Sequence, residues 1–517
     1  MKSHFQNNGE LRSKFDIIAV LIAFLTACAL IAGFYSKMLL HPHSMKWTAA
    51  IILGLVAVFS SLVFIGKIRE LVFSLSILTL SIKLDVFLYR QETPYIQQHG
   101  LVLSLFTILF AFLFLEWLIR IIRGQAAVKF YPEISIPVLI AILVAGLSIF
   151  NSDYKFLGIS SLVIFVHCYL VFIYFANNFN EKMIKTILLM MMLSVMLQSL
   201  IGILQYGSGS TLGLDILGES EKSFRIQTTG AFMLSRVGGT LGSPNGLAIF
   251  LNQFLPVIIC SVFMKIDSRI KMLAVITACM GLVTELLTLS RGGWVALAGS
   301  LYIALLVILK HRFKSYFKSI VFTTVLIAVS SVSVILLSSN VQQRLFEDNY
   351  KGPMGRIYQI QVAANVIKHN PLLGVGLNSY TTVMNRYDNT VVGISYSFPF
   401  PVHNAYFLLA AECGVFALLA IMVLWLNVFL KSRVFAQFND GFLTLFGTGI
   451  LCGTISWFIQ SQFEPFPVTA TNTLWFNFAL LAAVAVKLNE KRTDAGRAAH
   501  AAGEGKYLSN WSGETRE

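Results

Sequence analysis

The stretch LVLSLFTILFAFLFLEWLIRII, residues 101–122, carries only two charges, Glu116 and Arg120, in an otherwise apolar run. A helix that crosses a bilayer needs about 20 predominantly apolar residues, so this stretch is long enough to cross one. It is not alone. Similar runs stand near 15–35, 47–65, 71–89, 134–150, 157–175, 183–204, 243–264, 272–289, 294–310, 319–337, 404–430, 442–463 and 471–487. The composition agrees: the 517 residues are 56% hydrophobic and 12% charged, with a mean hydropathy of +0.73. A soluble chain carries about 25% charged residues, so the solvent of this one is lipid. The expected fold is an all-α polytopic membrane protein of about 12–14 transmembrane helices.

A net charge of +14 could suggest nucleic-acid binding. The positions of the cations give a simpler reason. If the amino terminus is cytoplasmic, the loops holding Lys67 and Arg69, Arg120 to Lys129, Lys182 and Lys185, Lys265 to Lys271, Lys310 to Lys318, and Lys431 and Arg433 all face the cytoplasm. That is the bias of the positive-inside rule. It places both termini in the cytoplasm of a cell whose inner membrane the chain crosses, and it predicts no nucleic-acid partner. The run at 15–35 is too long for the apolar part of a signal peptide and no small-x-small site closes it, so it reads as an uncleaved anchor. The cysteines Cys28, Cys168, Cys260, Cys279, Cys413 and Cys452 all fall within spans without CxxC pairing, as small core residues do.

Two loops are long, and the same parity puts both outside. Residues 205–242 are rich in Gly, Ser and Thr, and 338–403 form the larger loop. The chain therefore divides into N-terminal membrane helices (1–204), a region with both large loops (205–415), C-terminal membrane helices (416–487) and a polar tail (488–517) expected to be a disordered cytoplasmic end. Within the large loop, RIYQIQVAANVIKHNP (356–371) predicts an amphipathic helix with Ile357, Ile360, Ala364 and Ile367 on one face. Pro371 ends it near Asn370.

Four pieces at outside positions could carry chemistry. RVGGTLGSPNGLA (236–248) gives a polar start to a span: Ser243 and Pro244 suit a helix-start turn, while Arg236, beside exposed backbone N–H groups and Asn245, suits an anion. In TLSRGGWVAL (288–297), Arg291 is the only charge of a short turn, either reaching for lipid headgroups or holding a defined anion. Arg356 stands at a helix start, where the dipole prefers anions, so an anionic ligand would relieve it. SFPFPVHNAYFLLAAECG (397–414) sets His403 and Asn404 at the mouth of an apolar helix. The pair reads either as a helix cap or as a base with a sugar-binding amide. Glu412, Glu285 and Glu116 are kept as structural candidates. Three planar guanidinium forks match a diphosphate, and one imidazole supplies acid–base chemistry near neutral pH. Together they suggest glycosyl transfer from a polyprenyl diphosphate.

The order of these pieces, R…GT…SPNGLA, TLSRGGW, GRIYQIQVAANVIKHNPLLGVGLNSY and HNAYFLLAAECG, resembles the O-antigen ligase and polymerase family of bacterial membrane glycosyltransferases over roughly 236–415. The resemblance implies a metal-independent enzyme without cofactor at the outer face of the cytoplasmic membrane, whose donor is a glycan on undecaprenyl diphosphate. It implies Arg236, Arg291 and Arg356 as diphosphate ligands and His403 as the base. KMLLHPHSMK (37–46), the first outside loop, has no acidic pair to hold a divalent cation. The acceptor is a glycan, a lipid or a protein, and envelope polysaccharide assembly proteins are candidate partners. Polymerase is preferred to ligase because no feature marks a particular acceptor. The family often has around 12 spans where fourteen are read here, so 71–89, interrupted by Lys83 and Asp85, is the candidate for a re-entrant segment. A secondary transporter and a non-catalytic envelope scaffold remain as rival readings. Transporters favour repeats and ionisable groups at the membrane midplane, whereas the polar features here gather in outside loops.

Overall fold

A computed structural model describes residues 65–91, 99–220, 224–229, 232–312, 353–437 and 440–511. The runs at 15–35 and 319–337, nearly all of 47–65, and the first part of the large loop, 338–352, lie outside the described residues. Residues 74–517 form one compact unit, which carries everything described below except the first part of α1.

The elements in chain order are α1 (Ile65–Thr79), β1 (Asp85–Arg90), β2 (Gly100–Ser104), α2 (Leu105–Ile122), α3 (Pro132–Ser148), α4 (Lys155–Asn178), α5 (Ile184–Ser208), β3 (Phe224–Thr229), β4 (Phe232–Val237), α6 (Pro244–Val262), α7 (Ser268–Leu287), α8 (Arg291–Arg312), α9 (Pro353–His369), α10 (Tyr380–Val383), α11 (Ile394–Ser397), α12 (Ala405–Gln437), α13 (Phe442–Gln460) and α14 (Asn472–Trp511). Nine helices among the described residues are long and apolar enough to cross a membrane. The polytopic helical fold expected from the sequence is the one observed.

The run at 71–89 is corrected: it is not a span. α1 ends at Thr79, the chain turns, and Asp85–Arg90 pairs antiparallel with Gly100–Ser104. Val86, Phe87 and Tyr89 are apolar because they are strand formers, which a hydropathy window does not separate from a helix. The same hairpin shortens the run at 101–122 to the helix from Leu105, whose N-cap Ser104 accepts from the Thr107 N–H at 3.1 Å. A second hairpin, β3–β4, sits in the loop after α5. That loop is pinned to α5 by two buried glutamines. Gln198 donates to the Ser81 carbonyl and the Thr240 hydroxyl, both at 2.7 Å. Gln205 donates to Glu219 at 2.6 Å and accepts from the Gly239 N–H at 2.9 Å.

Polar contacts sort onto two faces. On one, Arg120 reaches Asn178, Lys431 pairs with Glu133, and Lys491 pairs with Glu181 and Asp440. On the other, Asp153 pairs with Arg386, the Ser152 and Ser379 hydroxyls meet at 2.7 Å, and Asn404 donates to the Gln462 carbonyl. The long helices among the described residues run from one face to the other, whereas α9, α10 and α11 stay with the large loop on the second. The first face collects the interhelical cations, and the second collects both large loops.

Between the faces, α13 lies on α6, α12 on α3, and α14 on α4. The α6–α13 pair is closest. Gly449 and Gly453 form a GxxxG step, and a Cβ on Gly453 would stand 2.0 Å from the Gln253 carbonyl oxygen. Without a hydrophobic drive between helices in lipid, such small residues let backbones touch. α14 runs through the stretch from 488 expected to be disordered and stays helical to Trp511, in keeping with the helix-forming Ala, Lys, Arg and Glu residues there.

From Pro353 onward the large loop is folded. α9 spans Pro353–His369 and stops before Pro371, as the sequence predicts. Its buried face differs from the expectation. Gln359, Val362, Ala363 and Val366 are inside, while Ile357 is 58% exposed and Ala364 is exposed. The interior of the loop, built on Val362, Val366, Tyr380, Met384, Ile394 and Val402, draws the helix to that side.

The loop is fastened to α12 at a break. Gly414 has φ 80° and ψ 174°, so α12 is interrupted after two turns and loses its internal hydrogen bonds there. Residues 371–376 replace them. The Val415 N–H donates to the Pro371 carbonyl at 2.8 Å, and the Val375 and Gly376 N–H groups donate to the Ala411 and Glu412 carbonyls at 3.0 and 2.9 Å. The Glu412 carboxylate accepts from the Tyr380 N–H at 3.2 Å. A Cβ at Gly414 would lie 2.0 Å from the Leu372 oxygen. Gly414→Ala therefore combines overpacking with a disfavoured φ and is expected to cost about 3 kcal/mol or more. Thermal unfolding of detergent-solubilised protein checks it; a midpoint equal to wild type contradicts the packing.

Candidate functional site

The site is assembled from chain ends on the loop-bearing face. Arg236 leaves β4, Asn245 lies in the first turn of α6, Arg291 opens α8, Arg356 and Gln359 sit in α9, His403 precedes α12, and Glu464 follows α13. Local chemistry fixes each position. Ser243 caps α6, accepting from the Gly246 N–H at 3.1 Å, with Pro244 in the first turn. The stretch is a helix start, and its next residue, Asn245, reaches Arg236 and Glu464. Ser290 caps α8 through the Gly293 N–H at 3.3 Å, after a sharp turn in which Leu289 takes a left-handed φ of 50°. A non-glycine residue in that region is strained.

At the centre is a carboxylate the sequence reading did not single out. Glu464 is 6% exposed. Its Oε1 accepts from the Asn245 amide at 2.6 Å and lies 3.7 Å from Arg356 Nη2. Arg236 donates from Nη2 to Asn245 Oδ1 at 2.8 Å and from Nε to the Thr288 carbonyl at 2.9 Å. Arg356 and the Asn245 amide thus meet at one acidic oxygen, and Asn245 links that oxygen to Arg236, far away in sequence. The available signal was that Glu464 is the only acid in the short 461–471 connection.

His403 stands beside this group. Its backbone N–H and its ring Nδ1 both meet Gln359 Oε1, at 3.1 and 3.0 Å. The Phe398 ring packs beside the imidazole, with centroids 5.4 Å apart. Burial lowers the imidazole pKa to about 4, the nearby Arg356 guanidinium pushes the same way, and the Pro401 carbonyl opposes them. The ring is therefore neutral at pH 7, with a nitrogen able to accept a proton.

The other expected residues fall in two places. Arg291 is exposed on the first turn of α8 and makes no hydrogen bond or ion pair with the described residues. It borders the cluster, because its neighbour Gly292 lies against Phe463, next to Glu464. Asn404 is turned to structure. Its Oδ1 accepts from the Tyr406 and Phe407 N–H groups at 3.0 and 3.1 Å, capping α12, and its Nδ2 donates to the Gln462 carbonyl at 3.2 Å. The cap reading applies to Asn404 and leaves the imidazole of His403 to the site. Glu412 is occupied with the loop backbone. A polar thread also descends from the site: Gln460 donates to the Asn245 carbonyl at 3.4 Å, and Asn252 donates to Gln460 at 3.0 Å.

Residues 273–422 match the Wzy_C family model, described as O-Antigen ligase, which supports an O-antigen ligase/polymerase-like family for this chain. The matched segment contains Arg291, Arg356, Gln359 and His403; Arg236, Asn245 and Glu464 lie outside it. No curated protein matches the chain. The match and the nine apolar helices describe a multi-pass membrane protein with a glycan-handling region of the O-antigen ligase/polymerase type, concerned with polysaccharide biosynthesis.

Asn245 is the short link between Arg236 and the buried Glu464. Asn245→Ala strips the carboxylate of its closest donor, which costs about 1–3 kcal/mol for a buried acceptor. The expected result is a lower thermal midpoint in detergent; an unchanged midpoint contradicts the linkage.

Proposed function

We propose that the chain is a glycosyltransferase acting at the outer face of the cytoplasmic membrane, which moves glycan from undecaprenyl diphosphate to an acceptor hydroxyl. The observation that carries this reading is a linked polar cluster beside a neutral His403: Arg236 donates to Asn245, Asn245 donates to Glu464 Oε1, and Arg356 lies 3.7 Å from that same oxygen. A place that holds a carboxylate oxygen between arginine and amide donors has the chemistry to hold a phosphate oxygen. Arg291, which makes no ion pair with the described residues, adds a third guanidinium at the edge from the α8 N-terminus.

In the reaction, His403 takes the proton of the acceptor hydroxyl as its oxygen attacks the anomeric carbon of the lipid-linked sugar. The bond from that carbon to the diphosphate oxygen breaks, and undecaprenyl diphosphate leaves with the electron pair. The arginines stabilise the charge that grows on the leaving group, a role of the oxyanion-hole type. The acceptor in the polymerase reading is a second lipid-linked glycan. Orientation follows from the cationic opposite face, which suits the cytoplasm.

Two outcomes test this reading. Purified protein given one lipid-linked repeat unit and no other acceptor should yield a ladder of products. His403→Ala should abolish it, and Arg356→Ala should slow it by about 10²–10³. Near-normal polymer from both variants ends the assignment.

The pH dependence has a definite sign. An imidazole lowered to about 4 in the free protein stays basic as pH falls from 7 through the range where an exposed histidine, near 6.5, would already be protonated. The acid limb of kcat/KM, which reports the free enzyme, should lie near 4. A limb near 6.5 assigned to His403 by its variants contradicts the buried setting. The same shift makes folding stability fall as pH drops from about 6.5 towards 4, because the unfolded chain binds the proton first.

A further inference from the structure

We propose that Gln359 is the positioning residue of this site: its side-chain carbonyl fixes the ring of His403 as the Nδ1–H tautomer and presents Nε2 as the proton acceptor. The inference rests on the reading of His403 as the base and adds the residue that sets which nitrogen does the work.

Gln359 Oε1 faces two atoms of the same residue, His403. The backbone N–H of His403 at 3.1 Å can only donate, so the amide must present its oxygen there. Turning the amide over would set two donors against each other. That same oxygen meets Nδ1 at 3.0 Å. An amide oxygen only accepts, so Nδ1 carries the hydrogen. A neutral imidazole holds one ring hydrogen, which leaves the lone pair on Nε2. A triad carboxylate assigns its histidine by the same logic.

An amide does this differently from a carboxylate. It orients the ring without offering charge to the imidazolium. Beside Arg356, that keeps the ring neutral between turnovers. The position of Gln359 in α9 adds a second constraint. Arg356 and Gln359 are three residues apart, on one face of the helix, separated by about 4.5 Å along its axis. One rigid turn therefore sets the spacing between the cation assigned to the diphosphate and the orienter of the base. Gln359 itself is 7% exposed and held in the loop interior with Val362 and Val366. This explains why α9 buries a polar residue on the side where its isoleucines were expected.

Three variants test the proposal in the lipid-linked repeat assay. Gln359→Leu removes the acceptor at similar volume. It should lower kcat by about 10²-fold, the scale of general-base assistance, with donor KM within about twofold. Gln359→Glu keeps both hydrogen bonds and adds charge. It should recover most of the lost kcat and move the acid limb of kcat/KM upward by about one pH unit or more, since a neighbouring carboxylate favours the imidazolium. A purely structural role moves neither the limb nor kcat selectively. Wild-type kcat and pH profile in Gln359→Leu, with His403→Ala inactive, overturns the positioning role and spares the base. Full activity in His403→Ala removes the base and the proposal together. If Gln359→Leu does not fold, Gln359→Glu decides: an unmoved acid limb overturns the proposal.

Discussion

The break in α12 at Gly414 is the constraint on which the site depends. A continuous helix would keep its own hydrogen bonds and offer the large loop nothing to hold. With φ at 80°, Gly414 frees the Ala411 and Glu412 carbonyls and the Val415 N–H, and residues 371–376 bind to them. Buried backbone groups must be paired, so helix and loop each supply what the other lacks. The consequence is positional. α9 ends just before the fastened segment, and His403 stands just before the first half of α12. Fixing 371–376 against 411–415 therefore brings the face of α9 that carries Arg356 and Gln359 beside the imidazole.

The second half of the site comes from the membrane helices. α13 and α6 approach closely through Gly449 and Gly453, so Glu464, four residues after α13, lies beside the first turn of α6. Arg236 arrives from the β3–β4 hairpin, anchored below by the Gln198 and Gln205 hydrogen bonds. Loop and bundle meet at Glu464. Its Oε1 takes the Asn245 amide from the bundle side and faces Arg356 from the loop side.

Much of this was legible in the sequence, and the misses have physical causes. Hydropathy found the nine spans that the described residues carry, and Pro371 ended α9 where it should. The arginines and His403 stood out because charges are rare in so apolar a chain. The run at 71–89 misled because strand and span residues share apolarity, although Lys83 and Asp85 marked the turn. The buried face of α9 was misassigned because periodicity counts apolar residues, and Gln359 is buried for its hydrogen bonds to His403. Glu464 escaped notice because a lone acid in a short connection looks like a solvated turn. Only the fold shows Arg356 and the Asn245 amide at it, with Arg236 bonded to the oxygen of that amide. Asn404 illustrates the opposite case, a polar residue in a suggestive place whose side chain is spent on capping a helix.

The central claim is that guanidinium groups from β4, α8 and α9 share one diphosphate beside His403. The most direct measurement is an electron cryomicroscopy structure of the protein in lipid nanodiscs loaded with undecaprenyl diphosphate. The account predicts phosphorus density between Arg236 and Arg356, with Arg291 turned towards it and the Glu464 carboxylate displaced from Arg356. Density for the diphosphate away from these residues, with the Arg356–Glu464 pair intact, would contradict it.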